Sequence, residues 1–118
     1  MLTQGFDIEQ TGTTAVIRFT VAQLDANLMQ ETVVELMQRL RCDNAGYFIF
    51  DLTGVNFLCS ACLGALVQFL QEVEHVRGRI ALANCQPSVA HSFQITRLDS
   101  VFHIYDDLPQ ARAAILKG

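Results

Sequence analysis

Residues 47–50, Tyr-Phe-Ile-Phe, form an unbroken apolar run that ends at Asp51. A run of this kind is the pattern of a strand covered on both faces. Farther on the period changes, and Leu63, Leu66, Val67, Leu70 and Val73 fall on one helical face. The stretch from Tyr47 to Leu70 therefore predicts a central strand over 47–51, a short loop, and a helix lying on the sheet, with its body over 63–76. Ser60, Cys59 and Cys62 fall in the first turn of that helix. A junction of this type leaves backbone N–H groups unpaired and presents the positive end of a helix dipole. Function is expected there.

The 118 residues are 51% hydrophobic and 17% charged, which suits one domain over 1–118 with a real core. Such a core needs no disulfide or metal staple. The net charge of −4, with eight Lys and Arg residues scattered along the chain, argues against a nucleic-acid partner. No apolar run approaches the length of a membrane span, and Met1-Leu-Thr-Gln-Gly5 lacks the basic and apolar regions of a secretory signal. The expected location is the cytoplasm. Four cysteines in such a setting read as reduced, small, apolar side chains.

Phe6 and Ile8 alternate with polar residues, Thr11-Gly12-Thr13 supplies a turn, and Ala15, Ile17, Phe19 and Val21 share a strand face. This predicts an antiparallel hairpin. Asp25 and Asn27 are cap candidates for a helix burying Met29, Val33, Leu36, Met37 and Leu40, with Glu35 and Arg39 paired on its wet side. Asp43 to Gly46 closes that helix. Gly78 is placed to end the second helix, and 79–83 reads as a strand. Pro87 suits the start of a third helix to about Ile95. Val101 to Ile104 is a last short strand, and Asp106-Asp107 leads into a final helix with Leu108, Ala111, Ile115 and Leu116 apolar. The order is α/β: a mixed sheet of about five strands with about four helices packed against it.

Ser60 by itself reads as a helix N-cap, its hydroxyl accepting from an N–H two or three residues on. Cys59-Ser-Ala-Cys62 has two readings. A CxxC at a helix start is the arrangement of dithiol redox proteins, because the dipole lowers the thiol pKa. The other reading, preferred here, is small-residue packing, since no Trp-rich lead-in precedes the pair. Cys42 and Cys85 supply no second CxxC, so no metal site is expected. His75, His91 and His103 are scattered and read as solvent-facing or edge residues.

The ordered segments resemble one family. Gln23-Leu-Asp25 is similar to the Gly-Glu-Leu-Asp segment of STAS domains, the bacterial anti-sigma factor antagonist family. Asp51-Leu-Thr-Gly-Val55 resembles its Asp-Leu-Ser-Gly-Val. Phe57-Leu-Cys-Ser-Ala-Cys-Leu-Gly64 resembles its Phe-Ile-Asp-Ser-Ser/Ala-Gly-Leu-Gly loop. Gly78-Arg-Ile-Ala-Leu-Ala-Asn84, Pro87-Ser-Val89, Ile95-Thr-Arg-Leu-Asp99 and Phe102-His-Ile-Tyr-Asp106 keep the family order.

The resemblance implies a STAS-like fold and a regulatory binding module rather than an enzyme, with no cofactor. Its partner would be an anti-sigma factor that is also a serine kinase. Phosphorylation at the start of the second helix, which falls on Ser60, would end binding, and a phosphatase would restore it. The implied contact face combines Gln23, Asp25 and Asn27 with Leu58, Cys59, Ala61, Cys62 and Leu63; self-association as a homodimer stays open. Cys59 and Cys62 stand where the family carries aspartate and glycine. Ala22 and Gln23 replace Gly and Glu, and Arg97 replaces a later glycine. A non-switching accessory or scaffold subunit using the same face is the alternative within binding modules. The CxxC redox protein is the alternative outside them.

Overall fold

A computed structural model of the chain describes residues 5–117. Residues 1–4, which the leader reading above rests on, lie outside the described residues. The chain opens with β1 (Phe6–Thr11) and β2 (Thr14–Phe19), then β3 (Gln23–Leu24) and α1 (Ala26–Cys42). Next come β4 (Tyr47–Asp51), β5 (Phe57–Leu58), α2 (Ser60–His75) and β6 (Arg79–Ala83). It ends with α3 (Pro87–Ile95), a 3-10 turn at Leu98–Ser100, β7 (His103–Tyr105) and α4 (Leu108–Lys117).

The main sheet runs β1-β2-β4-β6-β7. Only the β1–β2 hairpin is antiparallel; β2, β4, β6 and β7 pair in parallel. This is the mixed five-stranded sheet with four helices expected from the sequence. The two-residue period of a strand sorts its side chains between two cores. Ala15, Ile17, Phe48, Phe50, Ile80 and Leu82 face the layer of α1, α2 and α3. Val16, Ile49, Ala81 and Ala83 face α4, which covers them with Ala111 and Ile115. That second face is covered by the one helix α4. The first is filled by aromatics: Phe69 of α2 meets Phe48 edge-on at 5.0 Å between ring centroids. Such a pair contributes about 0.5–1.5 kcal/mol beyond its buried area.

Phe69 was not among the residues expected to be buried, and it is fully covered. Val67 of α2 and Val33, Met37 and Leu40 of α1 are only half-buried. In α1 the deep positions are Met29, Thr32 and Leu36, and the Thr32 hydroxyl donates back to the Leu28 carbonyl at 2.8 Å. Glu35 and Arg39 do pair, at 3.4 Å. The last strand starts at His103 rather than Val101, because the 3-10 turn carries Phe102 into the core against Phe93.

The end of α2 also differs in its reason. The left-handed position falls on Arg77, at φ 63, and Gly78 follows it, donating its N–H to Val73 at 2.8 Å. Gly78 is required by space: a Cβ there would collide with the Gly46 carbonyl and lie 2.7 Å from Val73. Arg97, which replaces a glycine of the resembling family, sits at φ 61 in the same left-handed region.

Candidate functional site at two helix starts

The loop after β4 is set by Asp51. Its carboxylate accepts from the Thr53 N–H at 3.1 Å, the Thr53 hydroxyl at 2.7 Å and Asn84 Nδ2 at 3.0 Å. Arg18 Nε lies 3.3 Å away on β2. Burial pushes this carboxyl up, but those hydrogen bonds and the Arg18 charge outweigh it and hold it below its ordinary value. One carboxylate thus ties the ends of β2, β4 and β6 together. A turn follows, closed by Val55 N–H to the Leu52 carbonyl at 3.0 Å, with Gly54 at φ 85 where a type II turn needs a positive φ.

The turn delivers β5 alongside β3. These two-residue strands pair in parallel, Gln23 opposite Phe57 and Leu24 opposite Leu58. Asn56 N–H donates to the Ala22 carbonyl at 2.7 Å, and the Ser88 hydroxyl of α3 donates to the Asn56 carbonyl at 2.9 Å. The segments 23–27 and 57–64 are therefore neighbours, and the starts of α1 and α2 lie side by side.

The two starts differ. Asp25 caps α1, its carboxylate accepting from Leu28 N–H at 2.8 Å. In α2 the N-cap is Cys59, which makes no side-chain capping bond. Ser60 is consequently not the cap expected from the sequence. It occupies the first helical position, is exposed, and its hydroxyl makes no hydrogen bond with the described residues. The reason lies in the backbone: Cys59 is still extended, at φ −77 and ψ 164, and its carbonyl accepts from Cys62 and Leu63 at 3.0 and 3.3 Å.

Of the residues expected on a contact face, Gln23, Asp25, Asn27, Ser60 and Ala61 are exposed, and Cys59 is half-buried. Leu58, Cys62 and Leu63 belong to the core, so they support the surface from below and do not form it. Phe57 was missed. It is 53% exposed beside Ser60's loop because alternation along β5 sends Leu58 inward and Phe57 outward.

The cysteines meet. Cys59 Sγ and Cys62 Sγ are 3.0 Å apart, and Cys62 Sγ also lies 3.3 Å from the Leu24 carbonyl. Cys62 packs in the core as the preferred sequence reading held, yet its thiol reaches the half-exposed Cys59. The Cys62 thiol, with the N–H groups of Cys62 and Ala61, outweighs burial and draws the Cys59 thiol below its usual value. Burial, then the neighbouring Cys59, push Cys62 up to about 12.

His75, His91 and His103 are exposed on separate elements. Among the described residues no three His, Cys, Asp or Glu side chains gather as a metal site. Concavities of about 420 and 480 Å³ flank α1 around Val33, Met37 and Arg41, toward the opposite end of that helix from Asp25. No helix among the described residues is long and apolar enough to cross a membrane.

The fold is similar to that of the anti-sigma factor antagonist SpoIIAA in its unphosphorylated form, at 22% identity and a TM-score of 0.75, covering 96% of this chain and 98% of that one. The Bacillus cell fate determinant SpoIIAA in its phosphorylated form matches at 23% identity and a TM-score of 0.74, covering 92% and 96%. An anti-sigma-factor antagonist (STAS) domain protein from Planctomyces limnophilus matches at 20% identity and a TM-score of 0.80, covering 93% and 96%. These likenesses are of fold. The family model of the STAS domain matches residues 6–111 of the sequence itself. The chain belongs to the STAS domain family.

Proposed function

We propose that this chain is a cytoplasmic binding module of the anti-sigma factor antagonist kind, not an enzyme. It holds an anti-sigma factor/serine kinase-like protein on the surface formed by 23–27 and 57–64. Phosphorylation of Ser60 ends the contact, and a phosphatase restores it. The observation that carries this reading is the exposed, unbonded Ser60 hydroxyl at the start of α2, beside exposed Phe57 and across the β3–β5 pair from Gln23.

The physics of the helix start suits such a switch. A phosphate on Ser60 would meet the unpaired N–H groups and positive dipole end of α2, which favour an anion. It would add nearly two negative charges without unfolding the domain. Loss of binding would then come from charge and bulk at the surface. Asp25, exposed on the neighbouring helix start, would add to the negative field.

The test is a pull-down from the protein's own cell extract, followed by incubation of the captured partner with ATP and intact mass measurement. A gain of one phosphate, mapped to Ser60 and accompanied by release of the partner, is the expected result. A retained partner after stoichiometric Ser60 phosphorylation would favour the non-switching accessory subunit. Phosphate found on another residue would remove Ser60 from the account.

A further inference from the structure

Cys59 and Cys62 are two thiols in direct contact, with 3.0 Å between sulfurs. Cys59 stands at the N-cap, half-exposed between β5 and the first turn of α2; Cys62 lies three residues on, buried beneath it. The N-cap and third helical positions sit one above the other across a single turn. A disulfide needs about 2.05 Å between sulfurs, so this pair stands roughly 1 Å from bonding distance. Cys42, exposed at the end of α1, and Cys85, half-buried after β6, are free cysteines.

We propose that Cys59 and Cys62 are a dithiol site that hydroperoxides oxidise to an intrahelical disulfide, with Cys59 as the attacking sulfur and Cys62 as the resolving one. The Cys59 thiolate attacks one oxygen of the hydroperoxide. An S–O bond forms, the O–O bond breaks, and the departing oxygen takes a proton to leave as an alcohol or water. The resulting sulfenic acid is then attacked by the Cys62 sulfur. The S–S bond forms, the S–O bond breaks, and the leaving hydroxide takes the Cys62 proton and departs as water. Two thiols and one hydroperoxide thus give one disulfide, one alcohol and one water, the sulfurs losing two electrons and the hydroperoxide gaining them.

Each role follows from placement. Cys59 is the sulfur an oxidant can reach, and the N–H groups at the helix start favour its thiolate. Cys62 is shielded from direct attack but already touches its partner, so it can capture the sulfenic acid before a second oxidation. Oxidation also has a structural consequence. The Cys62 thiol is the group that reaches the Leu24 carbonyl at 3.3 Å, and a disulfide has no proton to donate there. The side-chain tie between α2 and β3 is lost, while the backbone pairing of β3 and β5 remains. The loop closed by residues 59 and 62 is short, so the cross-link removes less unfolded-state entropy than one closing a long loop. The site stands whether or not Ser60 is a switch.

The test uses the whole chain, fully reduced, with hydrogen peroxide in excess and alkylation at intervals, read by intact mass and peptide mapping. The expected result is loss of two alkylatable thiols per chain, mapped to a 59–62 disulfide, before Cys42 or Cys85 is consumed. Cys62→Ala should instead accumulate a Cys59 sulfenic acid that dimedone traps. Cys59→Ser should leave Cys62 unoxidised over the same interval. Mapping of the wild-type protein decides the matter if a variant fails to fold. Oxidation of Cys42 while both loop thiols stay alkylatable, or Cys59 passing to sulfinic acid with Cys62 still free, would overturn the proposal.

Discussion

The starts of α1 and α2 lie side by side, joined through β3 and β5, yet one is closed and the other open. Asp25 spends its carboxylate on the Leu28 N–H at 2.8 Å. At α2 a cysteine occupies the cap without a capping bond, and a free serine hydroxyl follows. A side-chain cap satisfies one of the donors that a helix start leaves unpaired. An uncapped one keeps its N–H groups and dipole available to an anion, a thiolate or a phosphate. The domain caps one helix end with a side chain and leaves the other without such a bond.

Removing the support under α2 should have the most severe consequence. Leu66, 2% exposed on the inner face of α2, holds that helix on the sheet. Leu66→Asp should unfold the domain, because burying an unpaired carboxylate costs several kcal/mol of a margin near roughly 5–15 kcal/mol. A circular-dichroism melt unchanged from wild type would contradict the packing described.

A smaller break acts on the loop that leads to the open start. Asp51→Asn should cost about 1–3 kcal/mol at neutral pH, since Arg18 loses one of its two charge partners, Glu9 being the other, and part of the hydrogen-bond set is left unmade. The pH dependence has a definite sign. The folded carboxyl titrates below its reference value of 3.8, so its contribution is full above that value and is lost as pH falls through the folded pKa. Denaturant melts of wild type and Asp51→Asn should differ by a constant amount above about pH 5 and converge on further acidification. A gap that widened in acid would contradict this.

The finest test addresses the two caps directly. Asp25→Ala should cost about 1 kcal/mol, the usual loss of a carboxylate N-cap. Ser60→Ala should change stability by less than about 0.5 kcal/mol, because its hydroxyl makes no capping bond. Paired urea melts measure both. Equal losses would mean that the two helix starts are capped alike.

Much of this architecture could be read from the residues. The apolar run at 47–50 and the 3.6-residue period of Leu63, Leu66, Leu70 and Val73 specify strand and helix because burial on both sides of a sheet leaves little choice of pattern. Short elements escaped. A two-residue strand such as β3 or β5 has no periodicity, and its pairing is decided by chain segments more than thirty residues apart. Phe69 was overlooked because the helical face of α2 is wider than the stripe first traced, covering Cys62 and Phe69 as well as Leu63 and Leu70. Gly78 was assigned to helix termination, whereas its reason is the nearby Gly46 carbonyl, a contact across strands that local sequence does not reveal. At the site, the family resemblance pointed to 23–27 and 57–64, but not to which side chains surface. The thiol contact depends on a one-residue matter, whether Cys59 or Ser60 caps the helix, and that is below what motif spacing can fix.

Under the proposed function the open start of α2 is a switch for partner binding. Its most direct test is calorimetric affinity for the captured partner, measured with wild type, Ser60→Ala, Ser60→Asp and enzymatically phosphorylated protein of equal thermal stability. Ser60→Ala should bind as wild type does. Ser60→Asp should bind more weakly, and the phosphoprotein, carrying nearly two added charges, more weakly still. Equal affinity of all four forms would contradict the account.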